Sequence, residues 1–274
     1  MKILLLTAPY DSGHYKQRLG LGPLTLVNGI EEQLVRKGHA IRKEEIFVST
    51  SFATEVTTSF EVSRHIAQQV KSAKEKGEFP VVLTGNCNAA AIGTLSGLQN
   101  GSGVIWFDCH GDFNTPETTI GGYLDGMALS MVAGQCWTQL TASVPGFKAV
   151  PENRIILAGS RDLDPLELER LSHSGITLIT PEKIKQKVDD LADSFVPMES
   201  IYLHIDLDVL DPQDVHVNTY RTPGGITADE LSAVVTLIKN KYQISAVAFT
   251  AYDPSFDPKR KVQKVVEKIL DIIV

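Results

Sequence analysis

Residues 104–125, VIWFDCHGDFNTPETTIGGYLD, hold the densest chemistry in this 274-residue chain. Asp108, His110 and Asp112 alternate where an apolar run gives out. In extended chain, positions i, i+2 and i+4 face the same way, so two carboxylates and an imidazole should converge at a strand end. A second run, IYLHIDLDVLDP over 201–212, repeats the arrangement with Asp206 and Asp208. Four carboxylates in a half-buried crevice repel one another and lose hydration, which is tolerable only if a cation neutralises them. This predicts a metal site with more than one ion. Oxygen-rich donors with one or two nitrogens suit Mn2+, and less well Zn2+ or Fe2+. Two ions sharing carboxylates would pin a water and lower its pKa, giving a nucleophile at neutral pH and metal-assisted hydrolysis as the reaction class. Aspartates at strand ends also cap helices and line solvated loops. A lone D-x-D carries little weight, but D-x-H-x-D together with D-x-D-x-x-D-P favours the metal.

The elements that must position these groups follow from apolar patterning. Strand-like runs fall at 2–8, 40–48, 80–85, 103–108, 154–159, 176–180, 200–208 and 245–253. Most are short, rich in β-branched residues and barely alternating, as strands covered on both faces should be. Helical patterns lie between them at 23–38, 56–77, 88–99 and 126–134, in segments opening at Pro165 and Pro181, and in two C-terminal stretches. Gly38 and Gly77 close the first two. Thr227 with Glu230 is a capping-box pattern opening the second-to-last. Strands alternating with helices predict a parallel sheet with helices on both faces. No stretch reads as a linker, which predicts one domain over 1–274. Periodicity does not choose between a closed barrel and an open three-layer sandwich. In either, ligands belong at the carboxyl ends of the strands. Asp108, Asp208 and the segments 85–88 and 161–164 all fall there.

A chain that is 43% apolar can bury a large core. Its net charge of −7, with no polybasic block, argues against nucleic acid or an anionic membrane as partner. MKILLLTAPYDSGH reads as a first strand rather than a signal peptide, because its apolar run is short and no cleavage-type segment follows. No stretch approaches a membrane span. Three cysteines, Cys87, Cys109 and Cys136, an odd and sparse set, argue against a disulfide framework and point to a reducing cytoplasm.

DCHGD at 108–112 and HIDLDVLDP at 204–212 resemble the two signature motifs of the ureohydrolase superfamily, which includes arginase, agmatinase and formiminoglutamase. GLGP at 20–23 resembles its glycine-rich first loop, and TGNCNAAAIGTLSG at 84–97 its G-G-D-H-S segment and following helix. TPGGIT at 222–227 resembles its P-G-G-L-T, and YDPSFDP at 252–258 the E-x-N-P region of its last strand. These matches run in order over almost the whole chain. The resemblance implies the arginase-like fold, an open three-layer α/β/α sandwich around a mainly parallel eight-stranded sheet. It implies two Mn2+ ions per chain, serving attack on a guanidine carbon with release of urea or a relative. By the same resemblance Asp108 and Asp206 bridge both ions, Asp112 binds the first, His110 and Asp208 bind the second, and Asp211 supports the site from its loop.

The chain departs from the family pattern at several positions. The first histidine ligand is replaced within Gly85-Asn86-Cys87-Asn88, where two alignments place either Cys87 or Asn88 at its position. A thiolate is a good transition-metal ligand and asparagine a poor one, so Cys87 is favoured, against the bland alternative of a small buried cysteine. Cys109 is expected on the opposite side of its strand from the aspartates, in the core, as is Cys136. The arginase shuttle histidine falls at Asp125, which serves either as a proton donor or as an N-cap of the 126–134 helix. The guanidinium-binding glutamate falls at Ala251. The amino-acid end of the substrate site is kept. Asn114 matches the asparagine that holds the carboxylate, and Gly121 stands where a serine would, with its backbone N–H available. GSRDLDPLE at 159–167 resembles the segment that holds the α-amino group, with Asp164 in that role and Glu167 assisting. Asp164 equally reads as the N-cap of a helix from 165.

A guanidinium is cationic at neutral pH, and losing its glutamate partner weakens its binding. An N-hydroxyguanidine is much less basic and needs no such partner. The pattern therefore favours Nω-hydroxy-L-arginine over L-arginine, with hydroxyurea and ornithine as products. The G-N-C segment without a shuttle histidine also resembles the hydroxyarginine hydrolases of cycloserine biosynthesis. Proton delivery to the departing ornithine nitrogen falls to Asp208 or Asp125. The competing expectations are an arginase, an agmatinase or other guanidino hydrolase, and a degenerate non-catalytic metal-binding homologue. Agmatine has no carboxylate for Asn114 to orient, and a degenerate site has little need for so many ligands.

Overall fold

All eight apolar runs form strands, and the way they pair decides between barrel and open sheet. The computed structural model describes residues 1–50, 53–186 and 188–274. The strands are β1 (Lys2–Ala8), β4 (Ala40–Glu45), β5 (Phe79–Thr84), β6 (Gly103–Phe107), β7 (Ile155–Ala158), β8 (Thr177–Ile179), β9 (Ser200–Asp206) and β10 (Gln243–Thr250), with a small hairpin of β2 (Tyr10–Asp11) and β3 (His14–Tyr15) after the first. The eight-stranded sheet has the order β4-β1-β5-β10-β9-β6-β7-β8, with every pairing parallel. Because β4 and β8 end the order without meeting, the sheet is open and the barrel alternative falls away.

Nine helices are described: α1 (Leu21–Arg36), α2 (Glu55–Glu75), α3 (Cys87–Leu98), α4 (Ala128–Val132), α5 (Thr138–Ala142), α6 (Pro165–Ser172), α7 (Pro181–Gln186), α8 (Ala228–Lys241) and α9 (Lys261–Ile273). Alternation along β1 divides the core between the two faces of the sheet. Ile3 and Leu5 join the cluster built with α1, α8 and α9. Leu4 and Leu6 join the cluster built with α2, α3 and α4. Helix α3 is buried along its whole length. It lies so close to α2 that a Cβ on Gly93 or Gly97 would meet Ile66, Ser63, Ala67 or Val70 at 2.5–2.8 Å. That contact fixes where the N-terminus of α3 stands.

Several boundaries differ from the sequence expectation. The 126–134 pattern is a 3-10 turn, Asp125–Met127, followed by one short turn of α-helix. In the segment from Pro181 the described residues form α7 and a 3-10 stretch, Val188–Ser194. The hairpin and α5 are too short to leave a periodic signal. The Thr227–Glu230 capping box is present as expected. Among the described residues no helix is long and apolar enough to cross a membrane.

Candidate metal centre

Four neighbouring strands, β5, β10, β9 and β6, end at one point of the sheet edge. Their carboxyl ends bring Cys87, Thr250, Asp206 and Asp108 together. Cys87 opens α3 directly after β5. Its Sγ lies 3.0 Å from Asp206 Oδ2 and 3.0 Å from Thr250 Oγ1. The donor atoms of Cys87, Asp108 and Asp206 lie close enough to share one ion, and those of Asp108, Cys109, His110 and Asp208 form a second such group. His110 Nδ1 is 3.3 Å from Asp108 and 3.4 Å from Asp208.

Simple strand alternation does not explain this convergence. Strand β6 stops at Phe107, and Asp112 takes a left-handed backbone, φ 49°. Strand β9 stops at Asp206, whose carboxylate accepts from the Asp208 amide at 2.8 Å and opens a 3-10 turn, Leu207–Val209. The loops therefore fold the side chains inward. Their backbones are held by the carboxylates themselves: His110 N donates to Asp108 at 2.7 Å, and Cys109 N donates to Asp208 at 3.2 Å. Arg161 braces the far side of this loop, its guanidinium donating to the carbonyls of Asp208, Val209, Leu210 and Thr222.

The electrostatics point the same way. Burial raises the pKa of Asp108, Asp112 and Asp206, and each is raised further by its acidic neighbours. For Asp208 burial opposes the charge, yet the His110 ring beside it holds its pKa below the ordinary value. Burial likewise works against a charged His110, but Asp208 and Asp108 outweigh it and push the ring to about 10. Asp112 Oδ2 is buried with no hydrogen-bond partner. Burial and four nearby aspartates drive the Cys87 thiol far up. A buried, mutually repelling set of oxygens, an imidazole and a thiol, with one oxygen unpartnered, fits divalent cations. A cation would reverse the upward shifts of Asp108, Asp112, Asp206, Cys87 and His110, and would deepen the downward one of Asp208.

At 85–88 the two candidate side chains point in different directions. Cys87 faces the carboxylates, whereas the Asn88 side chain turns away to accept from Ser59 Oγ at 2.9 Å. Cys136 packs in the core as expected, and Cys109 is buried as expected but on the aspartate side of the chain rather than the opposite one. Its Sγ sits 3.3 Å from the His110 ring, because the chain has left the strand before residue 109 and alternation no longer applies. Asp125 is a helix cap, but of α3 and not of its own helix. It accepts from the Asn88 amide at 2.8 Å and from Asn86 Nδ2 at 2.9 Å. Burial raises it to about 7.

Above the carboxylates is a cavity of about 330 Å3, lined by Cys87, His110, Asp112, Asn114, Gly121, Asp125, Asp164, Glu167, Asp206, Asp208 and Ala251, with Leu19, Tyr123 and Tyr220 among the others. On its outer wall Asn114 Nδ2 donates to Asp164 at 3.1 Å. Asp164 is the N-cap residue of α6. Glu167, raised to about 7 by burial, accepts from the Phe113 amide at 2.8 Å and reaches back to the Asp164 amide. A side chain on Gly121 would meet only open space. Asp211 lies one step out, tying the amides of Gln213 and Gly224, both at 2.8 Å.

A layer beneath the carboxylates was not singled out from sequence. Trp106 Nε1 donates to Asp108 at 3.0 Å, and its indole stacks on His204 with ring centres 3.6 Å apart. His204 Nδ1 meets Tyr202 Oη at 2.8 Å, and Nε2 meets Thr250 Oγ1 at 3.4 Å. Burial holds the His204 ring neutral. The signal was period two: 202, 204 and 206 share one face of β9.

The arginase family model matches residues 1–273. An arginase of Bacillus caldovelox is 30% identical over 96% of this chain and 94% of its own length. One from Bacillus subtilis is 26% identical over 99% and 97%. Among solved structures, arginase from Bacillus cereus superposes with a TM-score of 0.89 at 24% identity, covering 100% of this chain and 98% of its own. A formimidoylglutamase from Bacillus subtilis superposes at 0.74 with 16% identity, over 99% and 85%.

Proposed function

This chain belongs to the arginase family, and from that premise we propose a two-manganese amidinohydrolase whose substrate is Nω-hydroxy-L-arginine. It is a hydrolase of C–N bonds in linear amidines. The products are hydroxyurea and ornithine, and residues 1–274 act as one cytoplasmic catalytic unit. The observation that carries the substrate choice is the contrast within the cavity. Its amino-acid end keeps the Asn114–Asp164 pair, while Ala251 stands on the wall where the family resemblance puts a guanidinium-binding glutamate.

Asp108 and Asp206 would be shared by both ions, with Cys87 and Asp112 completing the first site and His110 and Asp208 the second. Bound there, the ions supply Lewis acidity and an acidified water. The chain's own groups do the rest. Asn114 orients the substrate carboxylate, helped by the open backbone at Gly121. Asp164 takes the α-amino group, with Glu167 fixing the loop and helix that carry it. The departing nitrogen needs a proton, which we assign to Asp125 or Asp208, both of which line the cavity. A short uncharged residue at 251 removes the partner of a cationic guanidinium without penalising a neutral N-hydroxyguanidine.

Steady-state kinetics with Mn2+ test this. The expected kcat/KM for hydroxyarginine exceeds that for arginine by at least about tenfold, equivalent to about 1.4 kcal/mol. A higher value for arginine overturns the substrate assignment and leaves the hydrolase class intact.

A further inference from the structure

We propose that Thr250 is a positioning residue for the Cys87 sulfur, as the last link of a directed hydrogen-bond chain Tyr202–His204–Thr250 that holds a metal-bound thiolate. This rests on Cys87 being a ligand, as set out above.

The register of the sheet places the link. Thr250 pairs with Asp206, and Ala248 with His204, across β10 and β9. Thr250 therefore stands between the strand that delivers Cys87 and the strand that delivers Asp206. Its hydroxyl touches Cys87 Sγ at 3.0 Å, Asp206 Oδ2 at 3.3 Å and His204 Nε2 at 3.4 Å. Thr250 is 1% exposed, so no solvent supplies an alternative partner.

The direction of the chain follows from what each group can donate. On loading with a cation, the thiol proton is released to solvent, and both Cys87 and Asp206 become anionic acceptors. The Thr250 hydroxyl between them must then donate, and it lies nearer Cys87 Sγ, at 3.0 Å, than Asp206 Oδ2, at 3.3 Å. A neutral imidazole has one donor and one acceptor nitrogen. With the Tyr202 phenol donating into Nδ1, Nε2–H donates to Thr250 Oγ1 and leaves the Thr250 proton for the sulfur. The opposite tautomer puts two lone pairs face to face at Nε2 and Thr250 whenever that proton is committed to sulfur. Stacking on Trp106 fixes the plane of the ring. The device is specific to sulfur here, since a histidine in place of Cys87 would fill the same space with a ring.

The test is a Co2+ titration of the full chain, followed through the sulfur-to-cobalt charge-transfer absorption, in the wild type and in Thr250→Val, Thr250→Ser, Tyr202→Phe and Cys87→Ala. All are made in a Cys109→Ala background, because that sulfur belongs to the second donor group, and there Cys87→Ala should lack the band. Thr250→Val, which keeps shape and removes the donor, should bind Co2+ about 10- to 100-fold more weakly. Its band should move to longer wavelength, because a thiolate without its hydrogen bond gives up electrons more easily. Thr250→Ser should restore both properties, and Tyr202→Phe should shift the band less in the same direction. A purely structural role for Thr250 lowers the melting temperature and leaves the band in place. If Thr250→Val titrates like the wild type with an unmoved band, the inference falls and the Cys87 assignment stands. If the wild type shows no band, the Cys87 assignment falls and takes the inference with it.

Discussion

The floor and the outer wall of the cavity are built from the same residue types and are in opposite states. On the wall, Asn114, Asp164 and Glu167 are tied by hydrogen bonds to one another and to backbone amides. On the floor, Asp108, Asp112 and Asp206 raise one another's pKa, and Asp112 Oδ2 has no partner. The wall is satisfied by its own hydrogen bonds. The floor is left mutually repelling and fits cations. A carboxylate's role is thus read from what neutralises it rather than from its being an acid.

The largest expected effect comes from the floor. Chelation should abolish hydrolysis and lower the melting temperature. A single site held at 100 times its Kd stabilises by about 2.7 kcal/mol, roughly 5–10 °C for a chain of this size. The metal-free protein should also show an inverted pH response. Above pH 3.8, the ordinary value for Asp, the folded chain keeps protons on Asp108, Asp112 and Asp206 that the unfolded chain has released. Stability therefore falls as pH rises through their elevated values. His110, raised to about 10, adds to that fall above its ordinary 6.5. Asp208, held low, contributes in the other direction only as pH drops below 3.8. Metal-free Asp112→Asn should show a shallower slope in thermal melts across pH 4–9, and a slope as steep as the wild type's would break the contrast.

A smaller effect is expected on the wall. Asn114→Ala should raise KM for an amino-acid substrate about tenfold with kcat nearly unchanged, because it removes a ground-state contact to a charged group. Metal content should stay the same. A fall in kcat without a change in KM would place Asn114 with the floor instead.

The difference between floor and wall was partly legible in the sequence. Eight strands, their parallel pairing and the gathering of acids at one sheet edge could be read from apolar runs and D-x-H-x-D spacing. The loops that aim the acids could not, because the left-handed turn at Asp112 and the 3-10 turn after Asp206 leave no periodic trace. Cys109 is buried as expected but faces the aspartates for that reason. One of the two roles open to Asp125 was to cap the helix beside it. Instead it caps α3, 37 residues away in sequence, a partnership that only the fold creates. His204 and Thr250 were visible as polar residues in apolar strands, but their meeting depends on the β9–β10 register.

The most direct measurement is an anomalous difference map from crystals grown with Mn2+. Two peaks per chain are predicted, one contacting Cys87, Asp108, Asp112 and Asp206, the other contacting Asp108, His110, Asp206 and Asp208. A map with no peak among these carboxylates, or with a single peak remote from Cys87, would contradict the account.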